Sequence, residues 1–418
     1  MKVSRFGQKV AVQSGIGQLM DDLGAALSAK ERVLMLGGGN PAHVPEVERC
    51  LRESMTALLD DGDRFEKAVG DYDPPQGNGE FIEATANLLC DQFGWDVGPH
   101  NIALTTGSQS AFFILFNLFA GDYEDGTTRK VLFPLLPEYI GYCDVGIRPD
   151  LLAARMPRIE HIDEHTFKYH IDFEGFEIGD DVGALCVSRP TNPTGNVLTD
   201  RELAKLSDMA KAASVPLIVD NAYGMPFPNI VFTEAAPLWN DNTIVCMSLS
   251  KLGLPATRTG IVVARPEVID MVARVNAVTS LAPGRMGTAI ATEMVRSGEI
   301  LRLSRDVIRP FYRSKADEAQ KEVHRLFAGL PYRVHRPEGA FFLWLWFPDL
   351  PITSGQLYER LKRRNVLIVP GHYFCPGLNE PWSHTTECIR VSYAQDPATV
   401  TAGLQTIAEE VRRAYESI

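Results

Sequence analysis

Lys251 stands where a lysine can act as a nucleophile, directly after an apolar run over residues 244–247. Such a run is typical of a buried strand. A lysine at the end of a buried strand loses hydration, which lowers its pKa and lets its amine bond to a carbonyl. Ser248, Ser250 and Arg258 flank it, and hydroxyl and guanidinium groups donate to phosphate oxygens. The stretch predicts a site for an aldehyde that carries a phosphate, although a solvated Lys and Arg on a strand–helix loop would show the same residues.

The elements that must position this stretch alternate between strand and helix over residues 100–265. This alternation predicts a mainly parallel sheet covered by helices. Polar residues follow two further strands, with Asn192 after one, and Asp220 and Tyr223 after another. Because ligands bind outside the carboxyl ends of such strands, we expect these side chains to meet Lys251 in one crevice. Asp220 as a helix N-cap is the competing interpretation.

Other segments offer weaker signals. Ser108 and Gln109 open an apolar helix after a strand, which indicates either an anion site at the helix N-terminus or a simple N-cap by Ser108. Gly39 ends a run of three glycines, Tyr139 follows a short strand, and Tyr72 precedes two prolines. Arg390 lies in an apolar strand, which predicts a carboxylate partner from either the protein or a substrate.

The composition excludes several classes of protein. The 418 residues are 45% hydrophobic and 22% charged, with a net charge of -12. An acidic chain argues against a nucleic-acid partner. The seven cysteines are scattered without a C-x-x-C pair, which favours reduced thiols and disfavours a metal site. The start of the chain lacks a signal-peptide pattern and no apolar stretch is long enough for a membrane span, so we expect a cytoplasmic protein.

The chain after residue 295 changes character, with long helices followed by short strands that include two tryptophans. This pattern predicts a second, α+β domain. We predict a large domain over residues 46–295, and a small domain that combines residues 1–45, as an N-terminal arm, with residues 296–418.

Several stretches together resemble the fold-type-I enzymes that use pyridoxal 5'-phosphate (PLP), specifically the class I and II aminotransferases. The resemblance covers nearly the whole chain and rests on stretches that occur in the family's order: residues 36–41, 107–113, 188–197, 247–255 and 337–347. It implies an α/β fold whose large domain has a mainly parallel seven-stranded sheet between helices, with a smaller α+β domain beside it.

The resemblance also implies roles for particular residues. Lys251 would bind the aldehyde of PLP, and Asp220 would pair with the pyridine nitrogen. Asn192 and Tyr223 would hydrogen-bond the 3'-oxygen, and Tyr139 would stack on the ring; Lys251, Asp220 and Tyr223 form the implied catalytic set. The residues implied around the phosphate are Ser108, Gln109, Ser248, Ser250 and Arg258.

For substrates, the resemblance implies amino acids and 2-oxo acids. Arg390, Gly39 and Asn192 would hold the α-carboxylate. Tyr72 would reach the phosphate of a neighbouring subunit, which implies a homodimer with shared sites.

The implied reaction is ping-pong transamination between L-valine and pyruvate. Apolar pockets discriminate by only about 1–3 kcal/mol per methylene, so other neutral or aromatic amino acids are alternatives. A PLP-dependent lyase or decarboxylase on the same fold would use the same Lys and Asp. A ligand-sensing regulator would need an added basic DNA-binding module, which an acidic chain that starts with the enzyme body disfavours.

Overall fold

The computed structural model describes residues 2–12, 14–27 and 32–417. Its sixteen strands in these ranges are β1 Leu34–Met35, β2 Ile102–Thr106, β3 Gly121–Asp122, β4 Thr128–Phe133, β5 Leu152–Ala154, β6 Arg158–His161, β7 Thr166–His170, β8 Val182–Ser188, β9 Leu217–Asp220, β10 Thr243–Ser248, β11 Thr259–Val263, β12 Arg333–His335, β13 Phe342–Trp346, β14 Val366–Leu367, β15 Val369–Pro370 and β16 Cys388–Ser392.

The α-helices are α1 Arg5–Ala11, α2 Gly15–Leu27, α3 Pro45–Asp60, α4 Arg64–Gly70, α5 Gly79–Phe93, α6 Ser108–Phe119, α7 Asp200–Ala212, α8 Pro266–Thr279, α9 Met286–Arg296, α10 Glu299–Arg302, α11 Arg309–Leu326, α12 Ser354–Lys362, α13 His384–Glu387 and α14 Pro397–Glu416. A π-helical segment, Leu303–Ile308, joins α10 to α11. Short 3₁₀ turns occur at Pro99–Asn101, Ile140–Tyr142, Pro255–Thr257 and Gly371–Phe374.

The largest sheet has the strand order β2-β11-β10-β9-β8-β4-β3, with β5 paired to β4. The pairs β10–β9, β9–β8, β8–β4 and β4–β5 are parallel, and β11 is antiparallel to both neighbours. All seven residues of β8 are buried, as expected for a parallel strand covered on both faces. The predicted α/β fold is confirmed, and the count differs from seven because the two-residue β3 adds an eighth strand.

The second sheet has the order β15-β16-β13-β12-β7-β6. Its last two strands come from the hairpin of residues 158–170, which the predicted boundaries assigned to the large domain. In this sheet β7 pairs with β12 in parallel, across a separation of more than 160 residues. One apolar cluster includes Leu132 and Leu185 of the first sheet with Trp344 of the second, so the two sheets share core packing.

Local capping signals explain where several helices begin. Thr199 and Glu202 form the predicted capping box at the start of α7. The Ser14 hydroxyl accepts the Gly17 amide at 3.0 Å at the start of α2. The alternative that Ser108 is the N-cap of α6 is wrong, because the N-cap is Gly107, whose φ of 79° suits glycine.

Candidate active site

The carboxyl ends of three parallel strands place polar residues side by side. In the register of the sheet, Asp220 on β9 aligns with Ser188 on β8 and with Cys246 on β10. Ser248 ends β10, and Lys251 follows three residues later. The parallel register therefore places Asp220 and the lysine stretch on the same edge of the sheet, as the sequence predicts.

Lys251 is held in the cleft by one hydrogen bond. Its Nζ donates to the carbonyl oxygen of Gly39 at 2.7 Å, and the rings of Tyr223 and Phe341 lie 5.5 and 5.6 Å away. Burial lowers the pKa of Lys251 to about 8, and the charges of Arg390 and Arg258 act in the same direction. An amine with a pKa of about 8 is about one-tenth neutral at pH 7, and this neutral form is the nucleophile.

Arg390 lies in β16 with 1% of its surface exposed. Its Nη1 donates to Asn192 Oδ1 at 2.7 Å and its Nη2 to the Gly37 carbonyl at 2.6 Å. The guanidinium carbon lies 4.2 Å from the centre of the Phe342 ring. Burial lowers the pKa of Arg390 to about 10, so the group remains charged at neutral pH. Its buried Nε has no hydrogen-bond partner among the described residues.

None of the three cations at this edge, Lys251, Arg258 and Arg390, forms an ion pair with any residue in the described ranges. The alternative that Arg390 pairs with a structural Asp or Glu is therefore wrong for the described part of the chain. Arg258 is exposed, whereas Lys251 is half-buried and Arg390 is buried. Buried positive charge without a carboxylate is costly unless a ligand neutralises it. The arrangement thus suits anionic ligands such as a carboxylate and a phosphate.

Asp220 is the buried anion of the site. Its Oδ2 accepts the Tyr142 hydroxyl at 2.7 Å, and its Oδ1 accepts the Ala222 amide at 2.9 Å. Burial raises the pKa of Asp220, while these hydrogen bonds and the charge of Lys251 oppose the rise. No helix begins at Asp220, so the alternative N-cap interpretation is wrong.

Two loops form a narrow cradle where α6 begins. A β-carbon on Gly107 would lie 2.1 Å from Arg258 Nη2, and one on Gly260 would lie 2.6 Å from the Ser108 amide nitrogen. Glycine at both positions therefore lets the guanidinium approach the first turn of α6. Free helix amides and a guanidinium together favour an anion.

The remaining predicted residues differ in their surroundings. Gln109 donates to the Gly141 carbonyl at 2.8 Å, and the Tyr139 ring meets that of Tyr142 edge-on at 5.3 Å. Ser248 accepts the Ser250 amide at 2.9 Å, and in the described residues neither serine hydroxyl donates to a protein acceptor. The structure thus brings Gly39, Asn192 and Tyr223 directly to Lys251 or Arg390. It places the others at strand ends, on the loops that follow strands, and in the first turn of α6.

Tyr72 is the exception among the predicted residues. It lies on the loop after α4, and 82% of its surface is exposed. The chain itself therefore does not place Tyr72 in the crevice with Lys251.

Four residues of the site were missed by sequence reasoning. Gly37 accepts from Arg390, while Tyr142, Ser188 and Glu138 connect to Asp220 through buried oxygens. The positions of the last three in the sequence gave a signal that could have been used. Ser188 ends a strand at this edge of the sheet, and Glu138 and Tyr142 lie within nine residues after the end of another strand.

Comparison with known proteins decides the family. The profile of the family "Aminotransferase class I and II" matches residues 31–407. The chain belongs to the class I and II aminotransferases.

Full-length relatives agree with this assignment. The valine–pyruvate aminotransferase of Escherichia coli K12 is 51% identical over 415 residues, which cover 99% of each chain. A crystal structure of a putative amino-acid aminotransferase from Psychrobacter arcticum 273-4 superposes with a TM-score of 0.97 at 47% identity, covering all of both chains. The valine–pyruvate aminotransferase of Salmonella typhimurium LT2 gives 0.89 at 50% identity, covering 96% of this chain and 100% of that one.

This aminotransferase uses PLP, the cofactor of fold-type-I aminotransferases. The residues present fit the group: a lysine of lowered pKa, a buried carboxylate, and a glycine cradle beside the guanidinium of Arg258, which has no ion-pair partner among the described residues. Amino acids and 2-oxo acids are its class of substrate. None of the helices in the described ranges is long and apolar enough to cross a membrane.

Proposed function

We propose that this aminotransferase moves the amino group of L-valine to pyruvate, giving 2-oxoisovalerate and L-alanine in two successive half-reactions. The observation that carries the proposal is the 51% identity to the E. coli enzyme of that name over 99% of both chains. The aromatic surroundings of the cleft suit a neutral substrate side chain, since Tyr223, Phe341 and Phe342 pack around Lys251 and Arg390.

Lys251 is the proposed catalytic amine. Lys251 would hold PLP through its amine, and its lowered pKa would let the neutral amine accept the proton from the α-carbon of the amino acid at Nζ. PLP, when bound, supplies the electron-withdrawing ring that stabilises the resulting negative charge on the α-carbon. The hydrogen bond to the Gly39 carbonyl fixes the position of Nζ in the cleft.

Asp220, the buried carboxylate at the end of β9, provides the negative charge of the site. Its carboxylate would face the pyridine nitrogen and keep that nitrogen protonated. Tyr223 and the amide of Asn192 would donate to the 3'-oxygen of the ring. Tyr139, edge-on to Tyr142, would stack on the ring face.

Phosphate binding is assigned to the cradle at the start of α6. Charged guanidinium donors and helix amides suit its dianionic oxygens. The side chains proposed to surround it are Ser108, Gln109, Ser248, Ser250 and Arg258.

Arg390 is proposed to bind the α-carboxylate that both substrates share. Its fork is fixed by Asn192 and Gly37, so the guanidinium is oriented before the substrate arrives. Gly39 would add a backbone contact. A single carboxylate subsite serves both half-reactions because valine and pyruvate each carry this group on the reacting carbon.

We also propose a homodimer in which Tyr72 reaches the phosphate site of its partner. The Tyr72 loop is anchored to its own chain, because Asp73 pairs with Arg285 at 2.7 Å and the Pro75 carbonyl accepts from Asn276 at 2.9 Å. The Tyr72 side chain itself remains exposed beside these contacts. Exposed apolar residues occur on the neighbouring segments: Val69, Val278 and Leu281.

The domain arrangement is proposed with residues 46–295 as the large domain and the remainder as the small one. The hairpin of residues 158–170 then extends from the large domain into the small-domain sheet. Closure of the small domain over the crevice would exclude water.

Product analysis tests the substrate pair. PLP-loaded protein is incubated with L-valine and pyruvate, and 2-oxoisovalerate and L-alanine are quantified by mass spectrometry, with L-leucine, L-phenylalanine and L-aspartate as competing donors. We expect valine to give the highest kcat/KM with pyruvate. A higher value for another donor would contradict the proposed pair and leave the aminotransferase assignment intact.

A further inference from the structure

A buried chain of oxygen atoms connects Asp220 to a second carboxyl group, Glu138. Glu138 Oε2 lies 2.5 Å from Ser188 Oγ, Ser188 Oγ lies 3.2 Å from the Tyr142 hydroxyl, and that hydroxyl lies 2.7 Å from Asp220 Oδ2. The second oxygen of Glu138 accepts the Ser188 amide at 2.8 Å. Glu138 has no exposed surface, and all four residues are buried.

The protons in this chain can be counted. Three oxygen–oxygen contacts each need one hydrogen, and Ser188 and Tyr142 supply only one each. With both carboxyls ionised, the hydroxyls would donate outward, and their lone pairs would face each other at 3.2 Å between two buried negative charges. Like-charged carboxylates that share a buried site retain a proton between them. One carboxyl of this pair must therefore carry the third hydrogen.

The surroundings decide which carboxyl is ionised. Asp220 lies in the field of the Lys251 ammonium and accepts the Ala222 amide. The groups that face Glu138 are themselves acids, namely Asp220, Tyr142 and Cys186, and in the described ranges no ion pair includes Glu138. Negative charge is thus more stable on Asp220.

We infer that Glu138 is a neutral, protonated acid and a positioning residue for Asp220. Glu138 donates to Ser188, Ser188 to Tyr142, and Tyr142 to Asp220, so every hydrogen of the chain points toward the Asp220 carboxylate. The inference rests on the proposed function in one respect, that Asp220 faces the ring nitrogen of PLP. The role of Glu138 is to keep Tyr142 oriented as a donor and so to fix the basicity of Asp220.

The electrostatics agree with this direction. Burial raises the pKa of Glu138 to about 8, hydrogen bonding with Ser188 opposes the rise, and the nearby Asp220 adds to it. Burial raises the pKa of Tyr142 as well, and the charges of Asp220 and Glu138 act in the same direction, which keeps its hydroxyl protonated as a donor.

Infrared spectroscopy tests the protonation state directly. The full-length protein is measured at pH 7 in H2O and D2O, with and without PLP, and the carbonyl band of a protonated carboxyl is identified by its isotope shift. We expect the band in the wild type and its loss in Glu138→Gln. Glu202→Gln is the matched control, because hydrogen bonds from His170 and Thr199 hold the pKa of buried Glu202 at about 2 and it contributes no such band. Absence of the band from the wild type, or its survival in Glu138→Gln, would overturn the inference.

Substitutions test the positioning role. A glutamine can donate its amide hydrogen to Ser188 and accept the Ser188 amide, so it replaces a neutral acid but not an anion. We expect Glu138→Ala and Ser188→Ala each to lower kcat about tenfold, because they leave buried partners unsatisfied. KM for valine should change little, and the pH dependence of the PLP absorption band should shift.

Rescue by glutamine is the decisive comparison. We expect Glu138→Gln to recover the kcat and the pH profile that Glu138→Ala loses. If glutamine is as harmful as alanine, Glu138 acts as an anion and the inference is wrong. If neither alanine variant moves kcat or the spectrum, the positioning role is wrong. The infrared result does not depend on turnover, so failure of the valine–pyruvate proposal would leave the band intact and be recognised separately.

Discussion

Lys168 and Lys251 are both withdrawn from solvent, but they are stabilised in opposite ways. Lys168 in the second sheet is 2% exposed, and its Nζ contacts the Glu338 carboxylate, Asn196 Oδ1 at 2.9 Å and the Val197 carbonyl at 3.0 Å. Lys251 in the cleft donates to a single carbonyl oxygen. The charge of Lys168 is thus paired with a carboxylate of the chain, and the charge of Lys251 is not.

The arginines repeat this contrast. Buried Arg189 pairs with Asp200 and donates to the Leu198 carbonyl at 2.7 Å, whereas buried Arg390 meets only neutral oxygens. A folded chain bears unpaired buried charge when a ligand completes the pairing. The comparison teaches that the pairing of buried cations, rather than their burial, separates ligand-binding groups from structural ones in this molecule.

The largest effect that sharpens this contrast is expected at Lys251. Lys251→Met removes the catalytic amine, and we expect kcat for valine with pyruvate to fall by at least about a thousandfold. The free energy of unfolding of the PLP-free protein should be unchanged or higher, because no carboxylate loses a partner. Steady-state kinetics and urea unfolding measure both quantities; retained turnover would contradict the assignment of Lys251.

The matched substitution in the paired region should do the opposite. Lys168→Met leaves Oε2 of the buried Glu338 carboxylate without its ammonium partner, while Arg336 still pairs with Oε1. We therefore expect a loss of about 3 kcal/mol in the free energy of unfolding, the lower end for a broken buried ion pair. The protein that remains folded should bind PLP through Lys251 as before. A Lys168 variant as stable as the wild type, measured in the same urea series, would break the distinction between the two lysines.

Arg390→Lys should weaken both substrates together. A lysine retains the charge but loses the fork, and we expect KM for valine and for pyruvate to rise about thirtyfold, the scale of a lost charge-assisted hydrogen bond. PLP affinity should stay the same. Unequal changes for the two substrates would show that they do not share this carboxylate subsite.

A smaller effect is expected at Arg258. Arg258→Gln should weaken PLP binding about tenfold by removing a charged donor from the cradle at α6. Equilibrium titration with PLP measures the change. Arg325→Gln is the control, since Arg325 is an exposed arginine whose guanidinium pairs with Glu322 on the same helix. Equal affinities for the two variants would remove Arg258 from the phosphate site.

The last prediction concerns stability rather than catalysis, namely how the free energy of unfolding depends on pH. The pKa of Glu138 is raised from 4.5 to about 8 by burial, so the folded protein binds this proton where the unfolded chain releases it. This contribution is fully present below pH 4.5 and is lost as the pH rises toward 8. We expect the wild type to lose stability across that window relative to Glu138→Gln. If Glu138 is instead ionised in the folded protein, the free energies of unfolding of the wild type and of Glu138→Gln, measured with urea, should change in parallel across this pH window.

Much of the site could be predicted because strand ends have a known meaning. Asp220 ends a buried strand, Asn192 and Lys251 follow buried strands, and the parallel register brings these strand ends to one edge. The chemistry of a desolvated lysine could likewise be inferred from its position after an apolar run.

The oxygen chain behind Asp220 could not be predicted in the same way. Glu138, Tyr142 and Ser188 lie among apolar residues, and sequence patterns do not show which hydroxyls face one another. Their contacts depend on how the loop after β4 packs across β8, which is set by tertiary structure.

The membership of the second sheet was also beyond local patterns. The sequence pattern places the hairpin formed by β6 and β7 with the segment that precedes β8, and so in the predicted large domain. In the structure, however, β7 pairs with β12 far along the chain. Long-range pairing of short strands leaves no local signal, so the predicted domain boundaries stay a prediction.

The most direct test of the account is an absorbance spectrum of the PLP-loaded protein, recorded alone, after L-valine, and then after pyruvate. The account predicts that valine removes the visible band of the lysine-bound cofactor, that pyruvate restores it, and that Lys251→Met shows neither change. A band in the wild type that is indifferent to valine would contradict the proposed donor. Equal spectra for wild type and Lys251→Met would contradict the central claim that the unpaired lysine of the cleft is the catalytic group.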